Sequence, residues 1–271
     1  MTHIKWPFYY TAKIKRTPGF LIKQVFLEEF VIVLLVFGIF TIPLDLSIFA
    51  SLTALFAAMI SVYEIGYAEN DRIGKRKEER PKLSQEFEGL GRFVIAPYAW
   101  LWALIFTIFG VFILGENAQM AALNRVGLED LGTGWQGDAA MIGIWLGLVL
   151  VSQIIFAIFN HVPLAWRVFL YVPLHVSKYL APIVFFASGL VGMILLAAHI
   201  VRTWSLYAVR RADGNMEFLS SQLIRLVFFL LLLGLISAVQ PMETVWGAWQ
   251  TWLVLAFCSI RALPEILRKM L

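Results

Sequence analysis

The chain has 271 residues, of which 60% are hydrophobic and 15% carry a charge. Soluble domains average about half apolar and a quarter charged residues, so this composition excludes a soluble protein and indicates an integral membrane protein. A spanning helix needs about 20 apolar residues, and the length allows about eight such helices with short loops. We therefore predict an all-α, polytopic membrane helical bundle that forms one domain over residues 1–271.

The formal net charge of +4 does not indicate nucleic-acid binding, because the basic residues lie beside apolar segments. In that position they set topology and contact anionic headgroups. The single cysteine, Cys258, excludes a disulfide within the chain, and its apolar surroundings favour a buried, inert thiol. The four histidines show no metal-ligand spacing such as H-E-x-x-H, so the sequence argues against a zinc site.

Residues 1–24 mix five lysines and arginines with several aromatic side chains. The segment has no small-residue cleavage site, so a cleaved signal peptide is not predicted. We expect an interfacial, cytoplasmic lead-in.

Eight apolar stretches follow the lead-in. The predicted spans are about 26–42, a second that starts after the turn at 43–47 and ends near 67, then 93–114, 139–160, 162–177, 178–207, 219–239 and 245–260. An acidic, basic-poor linker, residues 115–138, follows the third span and is predicted to lie on the far side.

Residues 162–177 decide the topology, because this stretch is short for a span and holds two prolines. If it crosses, the basic clusters near Arg210 and Lys269 lie on the same side as the charged stretch after the second span. If it does not cross, both clusters lie outside, against the positive-inside bias. We therefore prefer eight spans with both termini cytoplasmic, and keep seven spans with a re-entrant or interfacial segment as the alternative.

The second span ends in a polar stretch, residues 63–83, where we place the chemistry. Ionisable groups at the edge of an apolar helix are costly to desolvate, which indicates a ligand or metal. Positions seven apart on a helix lie about 20° out of line, so Glu64, Asp71 and Glu78 would share one face. Carboxylates together with substrate phosphates are typical Mg²⁺ ligands. This favours Mg²⁺ at Asn70 and Asp71 with one of the two glutamates, the alternative being a solvated loop that only signals topology.

A second polar row lies near the end of the sixth predicted span. Its members recur along one helical face: His199, Arg202, Arg210, Asp213 and Glu217. With eight spans this row reaches the same side as Asp71, so an acidic row and a basic row would converge on one cavity. The alternative is that Arg202 and Arg211 only extend to lipid headgroups.

The Asn70-Asp71 pair at the end of the second span, with Arg80-Pro81 before the third, resembles the first motif of the UbiA superfamily of intramembrane prenyltransferases. That motif reads N-D-x-x-D-x-x-x-D with an R-P soon after. In this chain Gly74 and Glu78 occupy the places of the later aspartates. The resemblance follows the order of the spans over most of the chain, although its specific part is short.

The superfamily's second aspartate-rich motif is replaced here by a stretch with Arg210, Arg211 and Asp213. A basic second motif resembles the branch of phosphoribosyltransferases that make polyprenyl-phosphate ribose. The resemblance implies a Mg²⁺-dependent transferase that moves phosphoribose from phosphoribosyl diphosphate to polyprenyl phosphate and releases diphosphate. Arginine and lysine suit phosphate-rich substrates because they form charge-assisted hydrogen bonds with phosphate oxygens.

The expected site residues follow from the motifs and the resemblance together. Catalytic roles are expected for Asp71, Asn70 and Glu78, and metal binding for Asp71, Asn70, Glu64 and Glu78. Phosphate binding is expected for Lys75, Arg76, Lys77, Arg80, Lys178, Arg202, Arg210 and Arg211, and cavity lining for Tyr67 and Tyr207.

The expected location is the bacterial cytoplasmic membrane, with the site facing the cytoplasm. The expected partners are a lipid-linked substrate, either polyprenyl phosphate or a prenyl diphosphate, and membrane lipids, but no nucleic acid. One alternative is a UbiA-type prenyltransferase that transfers a prenyl group to an aromatic or lipid acceptor. Another, from a different class, is a transporter or assembly subunit whose charged rows form an ion path.

Overall fold

The computed structural model describes residues 2–15, 19–40, 45–77, 83–212 and 221–270, and these are mainly helical. Helix α1, residues 21–38, has π-helical turns at Leu21–Phe30 and Leu34–Gly38 around an α-helical turn at Val31–Val33, and a separate π-helical turn at Tyr10–Ile14 precedes it. The other helices are α2 Leu46–Lys77, α3 Gln85–Gly89, α4 Ala96–Ile113, α5 Glu116–Arg125, α6 Trp135–His161, α7 Leu164–Ser177, α8 Leu180–Phe185, α9 Leu190–Arg211, α10 Ser221–Ser237, α11 Met242–Trp246 and α12 Trp249–Met270, with a 3₁₀ turn at Glu129–Leu131. Two short parallel strands, β1 Thr2–His3 and β2 Phe93–Val94, pair near the amino terminus.

Within the described ranges, six helical segments are long and apolar enough to cross a membrane. They are Leu46–Lys77, Ala96–Ile113, Trp135–His161, Leu164–Phe185, Leu190–Arg211 and Trp249–Arg268. Helix α10 is a shorter apolar helix of 17 residues, and α1 adds a further apolar segment. The prediction of an all-α polytopic membrane bundle is confirmed.

Helix α2 lies at the centre of the bundle and packs against α4 and α6 through glycines. Ser51 Oγ donates to the Gly110 carbonyl oxygen at 2.7 Å, and Asn160 Nδ2 donates to the Gly66 carbonyl oxygen at 3.0 Å. A Cβ atom at Gly66 would lie 2.0 Å from the Phe156 ring. Small residues let membrane helices approach this closely, so dispersion contacts and short polar contacts hold them together.

Residues 164–185 run from one end of the bundle to the other. At one end, the preceding helix α6 finishes near Asn160, which contacts Gly66 close to the charged end of α2. At the other end, the Phe185 carbonyl oxygen accepts a hydrogen bond of 2.7 Å from Arg125 Nη1, in the linker that follows α4. This segment therefore crosses the bundle, as the eight-span topology requires.

The boundary predicted between residues 177 and 178 is wrong, because the chain leaves this segment only at residues 186–189. Lys178 and Tyr179 form a turn inside the segment, between α7 and α8. Pro182 explains that turn. A proline has no N–H to donate, and its ring clashes with the carbonyl four residues earlier, here that of Lys178.

Residues 2–15 of the lead-in fold against the rest of the protein, while Trp6 stays exposed, and the predicted position of the lead-in at the membrane interface stays a prediction. Ile4, Tyr10 and Ile14 are buried in a small core with Phe87 and Phe93, and β1 continues into a hydrogen bond from the Ile4 N–H to the carbonyl oxygen of Val94. Apolar burial thus fixes residues 2–15 against the end of α2 and the start of α4. Helix α1 also begins earlier than predicted, at residue 21.

Candidate functional site

A cavity of about 200 Å³ lies between α1, α2, α6, α7 and α9, near the ends of α2 and α9. We call it the main cavity. The predicted site residues that line it are Tyr67, Asn70, Lys178, Arg202, Tyr207, Arg210 and Arg211. Part of the second polar row meets the end of the second span here, but Glu64 and Asp71 of the predicted acidic row do not line the cavity.

The Lys178 ammonium lies deep in the main cavity and is paired with a carboxylate that the sequence analysis missed. Its Nζ lies 2.9 and 3.0 Å from the two carboxylate oxygens of Glu29 and 4.3 Å from the centre of the Tyr63 ring. Both charged side chains are almost fully buried. Desolvation of such a pair is costly and is offset only by good geometry, so the turn that Pro182 imposes at Lys178 fixes a charge inside the bundle.

Arg202 connects the cavity wall to a second buried network. Its Nη1 donates to Glu28 Oε2 at 2.9 Å, and the same carboxylate accepts from Gln222 Nε2 at 2.8 Å, from Arg225 Nη1 at 3.3 Å and from Arg261 Nη2. Three guanidinium groups thus meet one carboxylate. Glu265 lies beside the same network, where it accepts from Ser221 Oγ at 3.1 Å and from the Gln222 N–H at 2.8 Å, so two carboxylates accompany three guanidinium groups among the described residues.

The outer part of the cavity combines arginine with stacked aromatic rings. Arg211 Nε donates to the Tyr207 hydroxyl at 3.0 Å, and its guanidinium lies 5.3 Å from the centre of that ring. Tyr207 in turn stacks on Tyr171 with a centroid distance of 4.1 Å. The Arg210 side chain is exposed and forms no ion pair with any other residue that the structure describes. Such a rim presents a cation to an incoming anion.

The carboxylates of Asp71 and Glu64 share one face of α2, but they bind the amino-terminal segment and do not line the main cavity. Asp71 accepts from Lys15 Nζ at 2.7 Å and from the Tyr10 hydroxyl at 2.8 Å, and Glu64 accepts from the Thr11 N–H at 2.6 Å. Burial, followed by the charge of Asp71, raises the pKa of Tyr10 well above its ordinary value, so the phenol stays protonated and donates. These carboxylates hold residues 10–15 against α2.

The predicted Mg²⁺ site stays a prediction, because one of its members lies outside the described residues and substrate phosphates were expected to complete it. No group of three or more His, Cys, Asp and Glu residues in the described ranges is placed to hold a metal. Asn70 lines the cavity, where the lining carboxylate is Glu29, already paired with Lys178. Two predicted residues, Glu78 and Arg80, lie outside the described residues, as do Asp213 and Glu217 of the second row.

The remaining predicted phosphate ligands do not reach the main cavity. Lys75 and Arg76 line a separate cleft beside β2, together with Arg72 and Arg92. Lys77 lines neither the cavity nor that cleft. The charged stretch after the second span thus divides between a face that binds the amino terminus and a basic cleft at the surface.

The sequence analysis missed Lys15, Glu28 and Glu29, although Glu28-Glu29 carried a readable signal. Two adjacent carboxylates at the start of an apolar span need buried partners. No family model matches the chain, and no curated protein or solved structure matches it either. Its function is therefore inferred from the site.

Proposed function

We propose that this chain is a membrane transferase that binds phosphate groups in the main cavity, and that it transfers phosphoribose from phosphoribosyl diphosphate to polyprenyl phosphate. One observation carries the proposal: among the residues that the structure describes, cations outnumber carboxylates along the cavity wall. The charged lining residues are Lys15, Lys178, Arg202, Arg210 and Arg211 against Glu29.

Three of these cations have carboxylate partners among the described residues. Asp71 pairs with Lys15, and Glu29 pairs with Lys178. Glu28 pairs with Arg202 but also with two further arginines, and Glu265 lies beside this network, so three positive charges meet two negative ones among the described residues. A phosphate that enters the cavity meets a net positive environment, where hydrogen bonds to charged groups are strong.

The size of the main cavity favours a headgroup rather than two complete substrates. Its volume of about 200 Å³ is below the roughly 300–1,000 Å³ of ordinary ligand pockets. Aromatic side chains line the rest of the wall, among them Tyr63, Phe156 and Tyr171. In the proposed complex, a phosphate or diphosphate occupies the cationic part and the apolar chain of the lipid leaves along the aromatic part.

The reaction then needs charge neutralisation more than proton transfer. Lys178 and Arg202 neutralise the charge that develops on the departing diphosphate, the role of a preorganised electrostatic site. Arg210 and Arg211 orient a second phosphate at the rim. The acceptor phosphate is already anionic at neutral pH, so no strong general base is required. The part of this charge neutralisation that the described residues supply is assigned to the protein's own cations.

The test is titration calorimetry of the purified protein with phosphoribosyl diphosphate, a short-chain polyprenyl phosphate and a prenyl diphosphate. Arg210→Ala should weaken binding of phosphoribosyl diphosphate by roughly 1.5–3 kcal/mol, the range for hydrogen bonds to charged groups. Arg210→Lys should restore only part of the loss, since an ammonium lacks the two-pronged contact. Arg268→Ala removes an exposed cation of α12 outside the cavity and should bind like the wild type.

Turnover completes the test, because the wild type should move labelled ribose phosphate onto polyprenyl phosphate. If the protein binds the prenyl diphosphate but does not bind phosphoribosyl diphosphate, the prenyltransferase replaces this proposal. Failure to bind any of the three compounds would refute a phosphate site in the cavity.

The broken helix at Lys178 favours one other class of function, an anion transporter. Transporter sites are often formed by interrupted membrane helices, and the segment of α7 and α8 is interrupted at Lys178 and Tyr179. Proteoliposomes distinguish the two classes. A transporter accumulates labelled phosphate compounds without any transfer to lipid, whereas the proposed enzyme labels the lipid.

A further inference from the structure

A cleft lined by basic side chains lies at the surface where α2 ends, beside β2. We call it the α2–β2 cleft. It has a volume of about 470 Å³ and is lined by Arg72, Lys75, Arg76, Phe87, Gly91, Arg92 and Phe93. Four of these residues are cations and none is acidic, and the four form no ion pair with other residues that the structure describes. The cleft shares no lining residue with the main cavity.

The floor of the α2–β2 cleft is ordered by contacts that fix one guanidinium. Arg72 Nη2 donates to the Phe93 carbonyl oxygen at 2.7 Å, and the guanidinium lies 4.1 Å from the centre of the Phe93 ring. Phe93 packs edge to face against Phe87 at 6.2 Å, and both rings are buried. The Lys75 ammonium lies 5.9 Å from the centre of the Phe87 ring. Arg72 is therefore held in place before any ligand binds.

The cleft lies beside the start of a candidate membrane span. Phe93 lies three residues before α4, which is long and apolar enough to span a bilayer. On the first turns of α4, Trp102 stacks on the exposed Trp6 at 6.4 Å and donates from Nε1 to the Lys5 carbonyl oxygen at 2.8 Å. Tryptophan is enriched at the level of lipid headgroups, so the anions available at this depth are headgroup phosphates.

We propose that the α2–β2 cleft binds the phosphate of an anionic phospholipid. Basic residues at the end of α2 also interact favourably with the helix dipole. The helix dipole does not explain why Arg92, from another segment, joins the cluster, or why the Arg72 guanidinium is held over the Phe93 ring. Clusters of basic residues beside a membrane gain roughly 1 kcal/mol per Lys or Arg from anionic lipid. The site is independent of the proposed transferase activity.

The test measures how much phosphatidylglycerol, against phosphatidylcholine, the full-length protein retains through purification, by native mass spectrometry. Lys75→Gln, Arg76→Gln and Arg92→Gln change exposed cations of the cleft, and each should lower retention about fivefold. Lys77→Gln removes the same charge from the same helix end but lies outside the cleft, so it should leave retention unchanged. Arg76→Lys keeps the charge and should retain most of the lipid, which separates charge loss from misfolding.

A second arm distinguishes the lipid from a soluble phosphate compound. Inorganic phosphate is titrated against the wild type and the same variants in phosphatidylcholine nanodiscs, with thermal stability as the readout. If inorganic phosphate stabilises the protein less than phosphatidylglycerol does, the result supports a phospholipid as the ligand. Stabilisation by phosphate that depends on the cleft variants, with no preference for phosphatidylglycerol, would overturn the assignment. An equal loss of lipid in Lys77→Gln or Arg210→Ala would also overturn it, because the lipid would then bind elsewhere.

Discussion

Glu28 is the residue whose removal should damage the structure most, because three arginines share its carboxylate. Arg202 and Arg225 lie 2.9 and 3.3 Å from Glu28 Oε2, and Arg261 contacts Oε1. Glu28→Gln keeps the shape of the side chain but removes its charge. The three guanidinium groups would then face one another inside the bundle without their common counterion.

The expected loss follows from the burial of these groups. Breaking a buried ion pair by removing one partner costs about 3–5 kcal/mol. For proteins of about this size, 1 kcal/mol shifts the melting temperature by roughly 2–4 °C. Glu28→Gln should therefore lower the melting temperature by roughly 6–20 °C. Arg225→Met should cost less, because it removes one of three like charges and leaves Glu28 paired with the other two.

Thermal unfolding of the purified variants in one detergent measures both effects. Glu88→Gln is the matched control, because it makes the same change at an exposed position of α3 and should shift the melting temperature by less than about 2 °C. A Glu28→Gln protein that melts with the control would refute the shared counterion. The reasoning would also fail if Arg225→Met proved more damaging than Glu28→Gln, because the network would then not hold an excess of positive charge.

Two further predictions concern the end of α2. Asp71→Asn should lower the melting temperature, because it weakens the contact of 2.7 Å with Lys15. Adding Lys15→Met should restore part of the loss, because replacing both partners of a buried pair can be nearly neutral. Strictly additive losses in the double variant would argue against a direct ion pair. In a Cys258→Ser protein, single cysteines that replace Lys77 or Arg211 should be labelled from one side of the membrane, and a cysteine that replaces Glu129 from the other side. Labelling of positions 77 and 211 from opposite sides would show that they do not lie at the same end of the bundle.

Hydropathy predicted where the chain crosses better than where its helices end. The predicted third and fourth spans, 93–114 and 139–160, correspond to Ala96–Ile113 and Trp135–His161. A long apolar run in lipid forms a helix because a helix satisfies all of its backbone hydrogen bonds within the segment. The second span was expected to end near Tyr67, yet α2 continues to Lys77. A change in polarity marks the membrane edge, whereas a helix ends only where its hydrogen bonds do.

The break at Lys178 depends on a proline that lies beyond the predicted boundary. The sequence analysis weighed the prolines at 163 and 173 and placed a span boundary after Ser177. Pro173 lies within α7, while Pro182 acts on the carbonyl four residues before it. The predicted boundary therefore fell close to a real interruption, but this interruption lies within one membrane segment.

The partners of the charged residues could not be predicted from the neighbouring sequence. The face shared by Glu64 and Asp71 was predicted, but its partners, Tyr10, Thr11 and Lys15, lie more than fifty positions earlier in the chain. A periodic pattern identifies which side chains share a face and says nothing of what covers it. The same carboxylates fit a metal site or an ion pair, and only the tertiary fold separates the two.

Glu28 and Glu29 are neighbours in one turn of α1, yet they bind different partners. Glu29 holds Lys178 at the base of the main cavity, and Glu28 holds Arg202, which also lines that cavity. Because the two cations depend on adjacent residues of one helix, a shift of that turn moves both. Glu28→Gln should therefore change anion affinity in the cavity as well as stability, because it releases Arg202 from its partner and removes a nearby negative charge, whereas Arg225→Met should affect mainly stability. Unchanged anion affinity in a destabilised Glu28→Gln protein would show that the buried network supports the fold without positioning the cavity.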